Sequence, residues 1–444
     1  MTINGVNRIL KLSGSNCSFA NIATCQINVS YAPTVIVTNQ TELNTQLAKT
    51  AAELEGQIIG VQYNPTPYVI TRSGTPNLLN KAIGTGRLVL TQYGAKKPVF
   101  SRIEIDDSTN ITLDSLELYQ NVDNVGSYIA LYDNCWGITI NSCVIHGKYY
   151  DPNGDYSASG SYPQNSLGMS VSLASGKYLQ DLTIRNNTFY NLRRGHQFGA
   201  AGSLIIEGNT YYNFYEDPIA VNYTNGNTLT RVNWNTMYNP IGLASDAVNP
   251  HFDFIQLLDP GGVVTWTVEI IGNIGFIGNA RGNFQGIFCN LTSSNSYIAG
   301  EIKGNLILNN SSHGITIDRA SNLTVIGNTC VSGDMDGGGL NSAISIGLDQ
   351  TTGTHVVKNN VTHVISVAGT PTSTNNHTVS RSTLAYSAIF NGTAFNKATI
   401  SSRSAALTAY AMKVGGALDQ AVDIGAVGSG YVDFDARTLN GAME

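Results

Sequence analysis

Along most of the chain apolar residues alternate with polar ones over short runs, a period of two that predicts strands rather than helices. Ahead of the C-terminal quarter, one segment departs from this pattern. In 41–56 (TELNTQLAKTAAELEG), Leu43, Leu47, Ala51 and Leu54 recur at spacings of four, four and three, which puts them on one face of a short helix. Thr41 suits its N-cap and Gly56 its C′ position. Two strand-like runs follow, QIIGVQY and PYVIT, set off by Asn-Pro and Pro.

From about residue 100 the pattern repeats itself. A small polar residue sits between two apolar runs in TLDSLEL, TINSCVI, IRNNTFY, IEGNTYY, VNWNTMY, IIGNIGF, IKGNLIL, VIGNTCV and VKNNVTH. Aligning them gives Asp114, Asn141, Asn187, Asn209, Asn235, Asn273, Asn305, Asn328 and Asn359, at separations of 22 to 46 residues. A constant floor with an irregular excess is one structural coil plus loops of variable length, the signature of a solenoid. The repeats hold short β-branched runs and no helical stretch, which excludes leucine-rich and helical arrays. The prediction is an all-β fold, a right-handed parallel β-helix with three short strands and three turns per coil. Equivalent residues would then stack every ~4.8 Å. The Asn column becomes an internal ladder whose amides bond backbone groups at a tight turn.

A capping helix, a strand-rich start and Asn-turn coils together resemble the pectate-lyase-like right-handed parallel β-helix proteins. These include polysaccharide lyases, glycoside hydrolases and phage tailspike depolymerases. The resemblance spans roughly residues 40–365 and is architectural, so it implies a fold before it implies a reaction. It also implies that helix 41–56 plugs the open end of the solenoid. The expected organisation is a strand-rich segment over 1–40, the β-helix over 41–365, and a linker with a C-terminal cap or oligomerisation tail over 366–444. Within that last part, 366–381 is rich in Thr, Ser and Asn and reads as a loop or linker, and 404–414 is Ala-rich. AVDIGAV (421–427) resembles the closing segment of several β-helix proteins.

Composition narrows the class. The 444 residues carry 24 Lys+Arg and 30 Asp+Glu, and only 12% are charged against 42% hydrophobic, which opposes disorder. The net charge of −6 without basic clusters opposes nucleic-acid binding. No run of 18 apolar residues predicts a membrane span, and Met1 to Arg8 lacks the basic-then-apolar pattern of a secretory signal. The six cysteines (Cys17, Cys25, Cys135, Cys143, Cys289 and Cys330) form no C-x-x-C pair and are expected as buried free thiols.

With the Asn ladder as a ruler, the strands RGHQFG, DPIAVN, DFIQLL, QGIFCN and HGITID align. Ile219/Val221, Ile255/Leu257, Ile287/Cys289 and Ile315/Ile317 point inward with period two. The residues opening these strands form a column, Arg194, Asp217, Asp253, Gln285 and His313, and a second outward column holds Asn222, Asn290 and Asp318. Asp217 and Asp253 lie on adjacent coils, so their carboxyls should be about 5 Å apart. Two carboxyls that close do not both ionise readily, so one pKa rises. This supplies an acid and a nucleophile or base, as glycoside hydrolysis requires. Glu216 is a further candidate partner, and His251 could orient Asp253 or act as a base. His251, Asp253 and Gln256 match a His-x-Asp-x-x-Gln pattern that resembles one in phage and bacterial β-helix proteins. The competing reading makes each Asp a turn cap and lets Arg194 pair with Asp217 at the surface. His196 reads as a satisfied core or surface histidine.

Long insertions mark the expected walls of a cleft. Segment 147–166 carries Tyr149, Tyr150, Tyr156 and Tyr162, and IGLASDAVNP precedes His251. The 22 Tyr of the chain suit sugar contact, since a ring face packs on C–H groups while the hydroxyl bonds outward. No cofactor is expected. Asp151, Asn153 and Asp155, and Asp334 and Asp336, mimic the opening of a calcium loop, but neither combines Gly at position six with Glu at twelve, which leaves open only an irregular Ca²⁺ site.

The leading expectation is an enzyme that depolymerises an extended bacterial-surface or algal polysaccharide, by hydrolysis at Asp217 and Asp253, with Arg194 and His313 binding acidic sugar groups. A polysaccharide lyase is the alternative, with Arg194, His251, His313 and Tyr215 as cations or base. The third reading is a non-catalytic glycan-binding adhesin or receptor-binding fibre. The tailspike resemblance further implies a homotrimer and a virion-associated or extracellular setting, with no nucleic-acid or membrane partner.

Overall fold

The computed structural model describes residues 2–3, 6–13, 26–72, 77–122, 126–148, 166–173, 177, 179–223, 226–241, 251–258, 265–278, 283–291, 296–335, 340–369, 371–413 and 418. Thr2–Ile3, Val6–Ser13 and Gln26–Tyr31 form a separate three-stranded antiparallel sheet. From Val35 onward the chain winds as a right-handed parallel β-helix whose strands pair in parallel with their equivalents on the neighbouring coils.

One coil shows the pattern. Ala201–Glu207, Thr210–Phe214 and Ile219–Asn222 are its three strands. Each pairs in register with Asn227–Asn233, Thr236–Tyr238 and His251–Leu258 of the next coil. Rows of inward side chains follow from this register. Ile219, Ile255, Ile287 and Ile315 make one and Val221, Leu257, Cys289 and Ile317 another, all fully buried. Each such β-branched or Leu side chain contributes about 1.5–3 kcal/mol on burial, and the parallel stack makes every row continuous with the next. Cys289 in the second row is a buried free thiol, as are Cys135, Cys143 and Cys330 elsewhere in the coils. Cys17 and Cys25 lie outside the described residues.

The turn between the first and second strands carries the Asn ladder. Asn187, Asn209, Asn235, Asn273, Asn305, Asn328, Asn360 and Asn376 each stack on the next, with Nδ2 donating to the Oδ1 of the following Asn at 2.9–3.0 Å. The same Oδ1 accepts the preceding coil's backbone N–H, as Asn235 does for Asn209 at 3.0 Å. The residue just before each rung has positive φ, from 52° to 67°, and is Gly208, Gly272, Gly304 or Gly327 in several coils. Three landmarks of the sequence alignment therefore need correction. Asn359 occupies the positive-φ position and Asn360 the rung, while Asp114 and Asn141 lie two residues before positions held by Leu116 and Cys143.

The N-terminal helix is two pieces, α1 (Gln40–Leu47) and α2 (Ala51–Leu54). Asn39, not Thr41, caps α1 by accepting from the Glu42 N–H, and Thr50 starts α2 with a reciprocal capping box to Glu53. Leu43, Leu47 and Leu54 join the solenoid core with no exposure. At the other end, 366–381 is not a linker: it carries the strands Thr372–Thr374 and His377–Thr378 and the last rung, Asn376. Its polarity suits a last coil, since a strand paired on one edge only shows much of its surface to water. The chain then turns back as α3 (Thr383–Ile389) and α4 (Arg403–Ala409). Tyr386, Ile389, Phe390, Phe395, Ile400 and Tyr410 pack with Phe276, Leu308 and Val331 on the outside of the solenoid. AVDIGAV lies outside the described residues.

Candidate functional site

The predicted column exists. Asp253 pairs in register with Gln285, and Ile219 with Ile255, which sets Asp217 beside Asp253 on consecutive coils. Arg194 and His313 occupy the same position one coil further in each direction. Local sterics explain why these side chains point outward although they share parity with core residues. The residue after the column turns into the core, and it is Gly at 168, 195, 286 and 314. A Cβ on Gly286 would stand 2.1 Å from Gly314 O and 2.7 Å from Ile307 Cγ2. The next position (His196, Ile219, Ile255, Ile287) also faces inward, so two successive inward residues break the period of two. The column residue and the one three later then share a face. Three contacts display this: Gln256 Nε2 donates to Asp253 Oδ2 at 3.0 Å, His313 Nδ1 meets Thr316 Oγ1 at 2.9 Å, and Arg194 donates to Gln197.

The two carboxyls are tied together through the backbone. Asp253 N–H donates to Asp217 Oδ1 at 2.9 Å. Asp253 is fully buried and Asp217 only 5% exposed. Burial pushes the Asp253 carboxyl well above its ordinary pKa, the neighbouring Asp217 adds to this, and the Gln256 donor opposes it. Gln285, stacked on Asp253, is 5% exposed, and its side-chain carbonyl meets no donor among the described residues.

The other predicted residues fall into place around this core. Glu216 is taken up by cations: Arg193 Nη2 at 2.7 Å and Nε at 2.8 Å, and Arg194 Nε at 2.5 Å. Arg194 therefore pairs with Glu216 and not, as the surface reading had it, with Asp217. His313 also meets the Phe288 ring edge-on at 5.3 Å. Tyr215 is 1% exposed, so its ring forms no part of a contact surface. Asn222 and Asn290 share a column on the outer face, with Leu258 between them. Asp318 follows them, its carboxyl raised by burial and by Asp349. His251 opens its strand opposite Asn283, which puts it two residues before the column. Tyr149, Tyr150, Tyr156 and Tyr162 lie outside the described residues, as do Asp151, Asn153, Asp155 and Asp336. His196 is a core residue, its Nε2 3.1 Å from Tyr211 Oη, and burial lowers its pKa to about 3.

Two features escaped the sequence reading. The first is a stack of rings three residues after the ladder position, Tyr119, His146, Tyr190, Tyr212, Tyr238 and Phe276, with centroids 4.4–5.3 Å apart and planes within 13°. The repeated N-T-F-Y, N-T-Y-Y and N-T-M-Y strings carried its signal. The second is a carboxylate group, Asp106, Asp107 and Asp133, whose oxygens lie within 4.8 Å of one another. Arg72 at 3.1 Å from Asp106 and Lys177 at 3.8 Å from Asp107 already supply positive charge there.

Among known proteins, no family model matches the chain and no curated sequence matches it.

Proposed function

We propose that the protein binds an extended polysaccharide along the flank of the solenoid and hydrolyses it with Asp217 and Asp253. The parallel β-helix fits polysaccharide-active proteins in general. The observation that carries the reading is the stacked carboxyl pair, in which burial and the neighbouring Asp217 raise the Asp253 pKa. In this reading Asp253 holds its proton and serves as the acid, and Asp217 is the nucleophile or base. Their one-coil separation, about 4.8 Å, is near the roughly 5–5.5 Å of enzymes that retain anomeric configuration. Gln256 orients Asp253, while Gln285 and His313 extend the polar line. A trimeric, virion-associated or extracellular protein belongs to the same proposal.

β-Elimination draws less support. It needs a cation to draw charge from a uronate, and Arg193 and Arg194 are both held by Glu216. One observation favours a second reading, a glycan-binding fibre without catalysis: Asp253 has no exposure, as a purely structural carboxyl would. The test is incubation with a panel of bacterial and algal polysaccharides, following reducing ends together with the ultraviolet absorbance of unsaturated uronates. Hydrolysis raises reducing ends alone. A rise in both makes the protein a lyase, and binding without either rise makes it a fibre.

A further inference from the structure

We infer that Glu216 sets the charge preference of the column, and that the glycan taken there is an uncharged one. The inference rests on the glycan reading above and names its substrate class.

Three observations lead to it. The guanidinium groups of Arg193 and Arg194, which enter the column's first coil, both close onto Glu216 at 2.5–2.8 Å. An anionic sugar would have to compete with a carboxylate that is already in place and only 15% exposed. On the adjoining coil the column itself presents the Asp217 carboxylate, beside the protonated Asp253, and that charge opposes a further negative one.

The third observation concerns hydrogen bonding rather than charge. The Gln285 side-chain carbonyl is buried and meets no donor among the described residues. A buried acceptor left unpaired costs about 1–3 kcal/mol, so a ligand that brings a donor gains there. A sugar hydroxyl donates to a carbonyl oxygen, whereas a carboxylate has only acceptors to offer. The Gln285 carbonyl thus calls for a hydroxyl-bearing ligand and the charges around it for an uncharged one, and a chain of neutral sugars meets both conditions.

The experiment uses matched pairs: neutral polysaccharides (a β-glucan, a galactomannan and a dextran) and the same polymers oxidised at C6 to uronates where that carbon is free, or carboxymethylated in the dextran. Affinity electrophoresis at low salt measures the intact protein and Glu216→Gln, with circular dichroism confirming that the variant is folded. The wild type is expected to bind the neutral member at least about tenfold more tightly. Glu216→Gln frees two guanidinium groups and is expected to shift the anionic-to-neutral ratio upward by about tenfold, an effect that fades as salt rises. A wild type that favours the anionic member overturns the inference and leaves the glycan reading standing. A folded Glu216→Gln with an unchanged ratio overturns the role of Glu216. Failure to bind either member of any pair overturns the glycan reading and this inference with it. If Glu216→Gln does not fold, the wild-type ratio decides: a neutral preference that weakens with salt supports the inference, and its absence overturns it.

Discussion

The backbone N–H of Asp253 donates to Oδ1 of Asp217, 2.9 Å away on the preceding coil. This contact fixes two acidic side chains in one buried column, where Gln256 Nε2 donates to Asp253 Oδ2 at 3.0 Å. A carboxyl whose pKa is raised on folding stabilises the fold fully below its unfolded value and loses that contribution as pH rises through the folded one. Asp253 is such a group. Melting curves of the wild type and Asp253→Asn should therefore diverge as pH rises above about 3.8, with the variant gaining about 1.4 kcal/mol per unit of pKa displacement. Parallel curves across that range would show that Asp253 does not titrate abnormally.

Histidines make the opposite contribution. His363 Nδ1 lies 2.7 Å from Val379 O, and its Nε2 accepts the Ser332 N–H at 3.1 Å with Tyr386 Oη at 2.9 Å. An acceptor nitrogen cannot take a proton without losing that backbone partner, and burial and Arg381 both lower the pKa. Stability is then complete above about 6.5 and falls as pH drops through the lowered folded value. Arg381, Asp334 and Lys397 are the charged groups nearby, with Arg381 bonded to Asp334 O and Lys397 4.0 Å from its carboxylate. Amide protection in α3 and α4, measured against the intrinsic exchange rate at each pH, should fall on acidification below pH 6.5 before that of the solenoid strands. Uniform exchange at both places would contradict the assignment.

The ladder register can be tested at two adjacent asparagines. Asn360 donates to Asn376 at 2.9 Å and to Val325 O at 3.0 Å, and its Oδ1 accepts from Asn328. Asn360→Ala leaves buried backbone groups unpaired and should cost about 2–5 kcal/mol by denaturant unfolding. Asn359 sits at φ 59°. Asn359→Gly should be neutral or stabilising, and Asn359→Ala should cost about 1–2 kcal/mol. Equal losses at the two sites would mean that the rung is misassigned.

Gly286 is the steric condition for the column. Its Cβ would meet Gly314 O at 2.1 Å, a backbone atom that cannot rotate away. Gly286→Ala should therefore destabilise the chain by about 1–3 kcal/mol or more, and the near-ultraviolet signal of the neighbouring Phe residues should change with it. A variant as stable as the wild type would mean that the corner has room the structure does not show.

Much of this architecture was legible from residue type because geometry leaves few choices. A buried turn needs a side chain that both donates and accepts, and Asn supplies this from 187 to 328. Inward β-branched pairs such as Ile219/Val221 then fix the register of the column, since a one-residue slip would expose them. The reading failed where another residue fills the same space. Leu116 and Cys143 hold the first ladder positions without an amide, which drew the alignment onto the outward Asp114 and Asn141. Neighbouring Asn359 and Asn360 differ only in φ. Nor does a sequence period show what covers an outward residue, so the burial of Asp253 and the capture of Glu216 by two arginines emerged only in three dimensions.

The central claim is that Asp217 and Asp253 perform chemistry. Its most direct test is turnover and affinity of Asp253→Asn on whichever polysaccharide the wild type cleaves. The account predicts a loss of about 10²- to 10⁴-fold in turnover, with binding by affinity electrophoresis retained and the fold intact. Undiminished turnover in a folded Asp253→Asn would contradict it and leave the pair as a structural rung of the solenoid.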